Sequence, residues 1–423
     1  MDVPEEMEKH QFRPLNILYL SQYFYPEVGA TQNRAYDMAY FLARRGHRVT
    51  VLTEFPNHPS GVLPRRYKHR FWERQKLNGF RVIRTWVFAT PRKTALRRLL
   101  FYFSFMKTAA WAGLLVPGRF DVVYATSPPL FVGAAGLFLS RVKNAPFVLE
   151  VRDLWPESAV ELGELHNRRL IHWARWLEEL FYRKARKIVV VTKGILNQLL
   201  ERGVSAQKLV FIPNGSNTEI YSNRGQAFKK ELGLEDKFVV GYAGIFGLAQ
   251  GMNFLCDIAE SLKTNPDIHF LFVGEGPKKP DVLHWKEEKN LTNLTVLAEV
   301  PRQEIAQVIS AFDVSLVPLK KNRLFEGALP SKMFDSMACE RPILLSVAGE
   351  AAEVLRRSGG GMFVEPENLP QMKEAILRLK QNPELRIQMG KKGRRFVEEN
   401  FSRENLALKL EQVLVNLKIP FKN

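Results

Sequence analysis

Short apolar runs alternate with longer stretches of helical periodicity along the whole chain. The runs at 16–21, 48–53, 81–88, 121–126, 146–153, 187–192 and 209–213 are rich in Val, Ile, Leu, Tyr and Phe. They are nearly continuous, as parallel strands buried on both faces are. The amphipathic stretches between them are long enough for the crossovers that parallel strands need. The first runs over 32–45, after a loop at 22–31, and stops at Gly46. From 213 to 226 the chain turns polar and turn-rich, which predicts a domain boundary. A second series follows at 238–244, 268–274, 294–299, 314–319, 342–346 and 361–365. The pattern predicts an α/β protein of two doubly wound halves facing a central cleft, with ligands at the carboxyl ends of the strands. The expected division is a tail at 1–13, an N-terminal domain at 14–213, a C-terminal domain at 214–401 and a last segment at 402–423. That segment opens on Ser402 as a helix cap and is expected to pack back on the first half.

Composition narrows the class. Of 423 residues, 46% are hydrophobic and 25% charged, which excludes a disordered chain. The opening MDVPEEMEKHQFRP has no apolar core and does not read as a signal peptide. Cys256 and Cys339 offer neither metal spacing nor a disulfide framework, which fits a reducing cytosol. No Asp-x-Asp or His/Cys cluster stands in a loop, so neither a metal nor another cofactor is expected.

Charge changes the picture further. The net charge is +18, and residues 1–220 hold 33 basic against 18 acidic side chains. Within 65–98 there are 12 basic residues and one acid, Glu73. Such a field implies an anionic partner: a membrane surface, a phosphorylated substrate or nucleic acid. The apolar stretch at 99–116 follows Arg92, Lys93, Arg97 and Arg98 directly. Lys107 in its middle would cost about 3 kcal/mol in a bilayer core. A helix lying in the lipid interface is expected instead, with Phe101, Phe103, Phe105 and Trp111 as contacts beside the four cations. The plain alternative is a helix packed on a sheet. Nucleic acid is disfavoured, because no RNP, zinc or helix-turn-helix signature accompanies the charge.

Three segments of the second half carry the candidate chemistry. GYAGIFGLAQG at 241–251 is a strand, a glycine turn and a helix start, where N–H groups face anions. FVGEGP at 272–277 repeats the theme, its glycines allowing close approach of a ligand. FEGALPSKMFDSMACERP at 325–342 places Ser331 and Lys332 at a helix start, suited to phosphate oxygens. Asp335 follows one turn later and suits paired hydroxyls. Glu326, in the loop before, suits hydrogen bonds from a sugar.

In their joint order these segments resemble the retaining glycosyltransferases of the GT-B fold, family four, over about residues 14–415. The resemblance rests on PEVGATQ at 26–32, the 46–53 segment, IPNG at 212–215, Gly244 with Gln250, FVGEGP, and Glu326 with Asp335. SPPLFVG at 127–133, EVRDLWPES at 150–158 and LPSK at 329–332 are similar to bacterial transferases that build O-antigen or capsule polysaccharides on lipid carriers. The resemblance implies two Rossmann-like domains and a nucleotide-diphosphate-sugar donor, UDP being commonest. Asp335 would take the ribose, Glu326 the donor sugar, and Gly244 with Gly247 the diphosphate. Gly29, Gln250, Gly274, Gly327, Ala328, Leu329, Ser331 and Lys332 would complete the donor site. The family's two basic residues near the strand glycine are replaced by Ile245 and Gln250, which leaves Lys332 as the substitute cation. The acidic pair encloses eight residues instead of seven, and its second member is Asp.

The resemblance also implies retention at the anomeric carbon, with Arg152 standing where relatives often carry a histidine. Arg152 and Asp153 are the expected catalytic pair with Glu326, the alternative being a structural pair at a strand end. His58 and Arg152 are the expected acceptor contacts. The implied acceptor is a polyprenyl-diphosphate-linked saccharide, met at the cytoplasmic face of the inner membrane by a peripheral enzyme without an obligatory protein partner. Rival expectations are a nucleotide-sugar epimerase of the same fold and a non-catalytic membrane-bound relative.

Overall fold

A computed structural model describes residues 13–58, 60–92, 94–161 and 165–417. Residues 1–12 of the expected tail, Lys93 and positions 418–423 lie outside the described residues. The first sheet contains β1 (Asn16–Leu20), β2 (Arg48–Glu54), β3 (Trp72–Leu77), β4 (Phe80–Thr85), β5 (Val122–Ser127), β6 (Phe147–Val151), β7 (Lys187–Val190) and β8 (Leu209–Phe211). Their order is β3-β4-β2-β1-β5-β6-β7-β8. The neighbours are parallel, Leu18 lying between Thr50 and Val123, except that β3 pairs antiparallel to β4. The apolar pattern does not predict β3. Its sequence WERQKL is mostly charged and polar, as befits an edge strand that must not recruit another chain.

The helices of this half are α1 (Ala30–Arg44), α2 (Ala95–Leu115), α3 (Leu130–Val142), α4 (Glu157–Glu161), α5 (Arg168–Lys184) and α6 (Lys193–Glu201). Phe105, Ala109 and Ala112 of α2 join Leu139 of α3 and Phe181 of α5 in one core on one face of the sheet. On the other face, Met38 and Phe41 of α1 pack with Leu406, Leu410 and Leu414.

The second sheet contains β9 (Phe238–Ala243), β10 (Ile268–Val273), β11 (Leu294–Leu297), β12 (Val314–Pro318), β13 (Ile343–Ser346) and β14 (Gly361–Phe363), in the order β11-β10-β9-β12-β13-β14. Its helices are α7 (Ala227–Glu231), α8 (Met252–Ser261), α9 (Lys279–Glu288), α10 (Ile305–Ser310), α11 (Ser331–Ala338), α12 (Glu350–Ser358), α13 (Leu369–Gln381) and α14 (Pro383–Asn400). The last helix, α15 (Arg403–Val415), starts on Ser402, whose hydroxyl accepts from the Asn405 N–H at 3.2 Å. It crosses back to lie on α1. The chain therefore passes between the halves twice. The two crossings are tied together, the Ser216 N–H donating to Phe401 O at 3.0 Å and the Arg403 N–H to Ser216 O at 2.8 Å.

Beside these crossings lies a buried ionic hub. Asp37 of α1 accepts hydrogen bonds from Arg302 of the second half and from Asn217 Nδ2, the latter at 2.9 Å. Arg403 Nε stands 3.8 Å from its other oxygen.

Helix α2 corrects one expectation. Phe105 is fully buried and belongs to the core, so it is no membrane contact. It lies one turn from Ala109 and two from Ala112, on the face turned to α3. Phe101 is half-buried against the same core. Phe103 and Trp111 do face outward, with Leu96, Leu100, Leu114 and Leu115. Lys107 is also exposed, its ammonium 4.6 Å from the Phe103 ring centre. Arg92 is exposed, while Arg97 and Arg98 are half-buried. Among the described residues no helix is long and apolar enough to cross a membrane.

Candidate functional site

A cavity of about 790 Å³ lies between the two halves, at the carboxyl ends of both sets of strands. From the first half it is lined by the Gly29–Thr31 start of α1, by Arg152 and Asp153 after β6, and by Thr192 and Gly194 at the start of α6. The second half supplies Gly244, Gln250, Gly274, Gly327, Ala328, Leu329, Ser331, Lys332 and Asp335. The expected donor residues thus share one space, apart from Gly247 and Glu326. Gly247 lies beneath the cavity wall. A Cβ there would meet only the tip of the Gln250 side chain, Oε1 at 2.3 Å, which can swing aside. Gly274 is a closer case. A Cβ there would sit 1.9 Å from Gly244 O, so the two strand ends can meet only with glycine.

Lys332 is the centre of the C-terminal wall. Its ammonium donates to the Tyr242 hydroxyl at 2.7 Å and lies 4.1 Å from that ring's centre. It also closes over the strand end, since a Cβ on Gly244 would be 3.0 Å from Lys332 Nζ. Burial pushes its pKa down to about 7, partly opposed by Asp335. Burial pushes Asp335 up to about 7, opposed by the hydrogen bond that Ser216 Oγ donates to its Oδ1 at 2.7 Å. Ser216 belongs to the segment joining the halves, so the donor wall is bonded to the linker.

Across the cavity, Arg152 is held down in pKa by burial. The nearby Glu150 belongs to another cation: Arg34 Nε donates to it at 2.7 Å, and Tyr124 OH at 2.9 Å. Among the described residues neither Arg152 nor Lys332 has a carboxylate within ion-pair distance, and Arg152 Nε has no hydrogen-bond partner. Arg152 and Lys332, both half-buried, thus face one cavity from opposite halves, each with a carboxylate near enough to act through space, Glu150 and Asp335, but none paired to it. That arrangement suits a ligand with two or more adjacent negative charges.

Besides Gly247, two expected residues stand outside the cavity. Glu326 is exposed and does not line it. In the 3₁₀ turn Arg323–Gly327 the Glu326 backbone carbonyl packs so close to Gly349 that a Cβ there would sit 2.0 Å from it. His58 is half-buried in a separate polar cluster, where its backbone N–H donates to Glu27 Oε1 at 2.7 Å and its ring lies 5.7 Å from that of Tyr23. Sequence reasoning missed Thr192, Gly194 and Glu275, which line the cavity. Each follows a recognised strand closely, so the strand-end rule applied to every strand would have found them. The halves also touch across the cavity's rim. Glu350 of α12 accepts from the N–H groups of Lys193 at 2.8 Å and Gly194 at 3.2 Å. No group of three or more side chains among the described residues could hold a metal ion.

Comparison with known proteins agrees with this architecture. Residues 29–215 match the family described as glycosyl transferase 4-like domain, and residues 224–396 match glycosyl transferases group 1. The putative colanic acid biosynthesis glycosyl transferase WcaI of Escherichia coli is 23% identical over 87% of this chain and 94% of its own. The probable glycosyltransferase WbjE of Pseudomonas aeruginosa is 26% identical over 59% of this chain and 64% of its own. Among solved structures, sucrose-phosphate synthase from Thermosynechococcus elongatus superimposes with a TM-score of 0.72 at 20% identity, covering 95% of this chain and 99% of that one. Anabaena HepE in complex with UDP-glucose gives 0.67 at 17% identity, covering 95% and 100%.

Proposed function

Because the chain is a glycosyltransferase of the GT-B fold, we propose that it moves a sugar from a nucleotide-diphosphate-sugar, UDP being the first candidate, to a saccharide carried on a polyprenyl diphosphate. Transfer retains the anomeric configuration and serves surface-polysaccharide assembly at the inner face of a bacterial membrane. The observation that carries this reading is the pair of basic side chains, Arg152 and Lys332, on opposite walls of the cavity with no carboxylate paired to either among the described residues. A diphosphate matches both. As the bond from the anomeric carbon to the leaving phosphate breaks, negative charge grows on that phosphate, where fixed cations in a dry site stabilise the transition state most. The acceptor hydroxyl attacks from the same face and passes its proton to the departing phosphate oxygen. Asp153, which lines the same cavity beside Arg152, is assigned to orienting that hydroxyl. Asp335 offers its second oxygen to the ribose. The outward face of α2 and the basic 65–98 segment favour an acceptor delivered from a lipid surface. The complex of the structurally similar HepE with UDP-glucose, and the putative colanic acid biosynthesis assignment of WcaI, support the reading.

The test is thermal stabilisation by UDP-, GDP-, dTDP- and ADP-sugars. One nucleotide class should raise the melting temperature of the native chain. The Lys332→Ala and Arg152→Ala variants should lose most of the shift with the diphosphate but not with the matching monophosphate. Absence of a shift with every nucleotide sugar, with and without anionic vesicles, overturns the donor reading.

A further inference from the structure

A second cavity, of about 220 Å³, opens at the edge of the first sheet, away from the cleft. Its walls are Thr50 of β2, Arg74 and Lys76 of β3, Arg81 of β4, and Val116 with Pro117 just past α2. Pairing aligns these side chains. Thr50 is opposite Arg81, and Arg81 is opposite Lys76, so the three form one row across three strands. Arg74 follows two residues from Lys76, on the same face of β3. The single acid of this region, Glu73, points to the other face and pairs with Arg66 and Arg70. Among the described residues no acidic side chain lines the cavity. The carbonyls ending α2 do not oppose an anion either, since Lys143 Nζ donates to Leu114 O at 3.0 Å and to Val116 O at 2.8 Å. In the floor, the Thr50 hydroxyl is fully buried without a hydrogen-bond partner among the described residues.

The cavity adjoins an aromatic surface. The Arg74 guanidinium lies 4.4 Å from the centre of the Trp72 ring, and Phe71 meets Trp111 of α2 edge-on at 5.6 Å. Trp72 and Phe71 are exposed, as are Trp111, Leu114 and Leu115. Three cations around a cavity smaller than a drug-sized pocket, flanked by exposed aromatic and aliphatic side chains, match a phosphate group attached to an apolar body.

We infer that this cavity holds the headgroup phosphate of an anionic phospholipid, giving the N-terminal half a specific lipid site separate from the sugar-transfer cleft. The inference rests on the bilayer-facing part of the functional reading and not on the donor site. Arg74 and Arg81 present planar forks to the phosphate oxygens, Lys76 adds a point charge, and Trp72 with Trp111 sits at the level of the glycerol backbone.

The experiment is flotation of the full chain on vesicles of phosphatidylcholine alone or mixed with phosphatidylglycerol, with calorimetric titration of sn-glycerol 3-phosphate alongside. The native chain should prefer the phosphatidylglycerol vesicles. The Arg74→Gln/Arg81→Gln variant should weaken that binding about thirtyfold. Pro117→Trp, which fills the cavity and leaves every cation in place, should weaken it as well. Nucleotide-sugar stabilisation, measured on the same samples, should stay unchanged in both variants, so a failed donor site and a failed lipid site are told apart. Full vesicle binding by Pro117→Trp would reduce the feature to a diffuse basic surface and overturn the inference. Saturable uptake of glycerol 3-phosphate without preference for phosphatidylglycerol vesicles would assign the cavity to a soluble ligand and overturn it equally.

Discussion

Lys332 sets a proton balance that ligand binding must shift. Its pKa, pushed down to about 7 by burial, lies well below that of an ordinary lysine. Between about pH 7 and pH 10 the folded chain has released a proton that the unfolded chain keeps, so this group's contribution to stability rises with pH across that window. Asp335 has the opposite sense. Its carboxyl is pushed up to about 7, so its contribution to stability falls as pH rises from about 4 to about 7. A diphosphate beside Lys332 favours the charged ammonium and reverses the effect of burial. Binding of UDP should therefore take up a proton and weaken by up to about tenfold per pH unit above about pH 7. Calorimetry in buffers of different ionisation enthalpy measures both, and Lys332→Met should show a flatter pH dependence. An identical slope in native and variant chains would remove Lys332 from the site. Lys332 and Asp335 were legible in the sequence because helical spacing after a proline places them. The exposed position of Glu326 outside the cavity was not, since the path of a 3₁₀ turn follows from tertiary contacts, here of its backbone with Gly349.

At the scale of the element, α2 shows what periodicity can and cannot reveal. The apolar stretch was plain, yet it is apolar almost all round, and such a pattern does not say which side meets the core. The structure divides it, with Phe105, Ala109 and Ala112 inward and Phe103, Trp111 and Leu115 outward. The division predicts separable effects. Phe105→Ala should cost about 3–5 kcal/mol of stability in urea denaturation, because it empties a fully buried site. Trp111→Ala should change stability by about 1 kcal/mol or less and instead reduce binding to anionic vesicles. Equal losses of stability in both variants would mean that the helix is buried on both sides in solution. Strand β3 is the opposite case. It carries too few apolar residues to announce itself, and only its pairing with β4 makes it a strand.

For the whole molecule, the two series of strands were legible because each repeats a local pattern. The bonds that set one half against the other were not, because they join residues far apart in sequence that carry no local signature. Asp37 and Arg302 are 265 positions apart, and Arg403 reaches the same carboxylate only because α15 returns to α1. All three are almost fully buried. Removing the acid alone would leave two guanidinium groups facing each other in a dry interface, and Arg403 Nε and Nη1 already lack hydrogen-bond partners among the described residues. Asp37→Ala should therefore cost about 3–5 kcal/mol. Most of that cost is unpaired charge, so Asp37→Ala/Arg302→Met should recover part of the loss in melting temperature. The effect should also reach the donor wall. Asn217 donates to Asp37, and its neighbour Ser216 donates to Asp335, so the hub and the wall share one short piece of linker. Loosening the hub should lower nucleotide affinity as well as stability, although Asp37 does not line the cavity. If Asp37→Ala binds UDP with native affinity while melting earlier, the hub stabilises the assembly of the two halves without positioning the site between them.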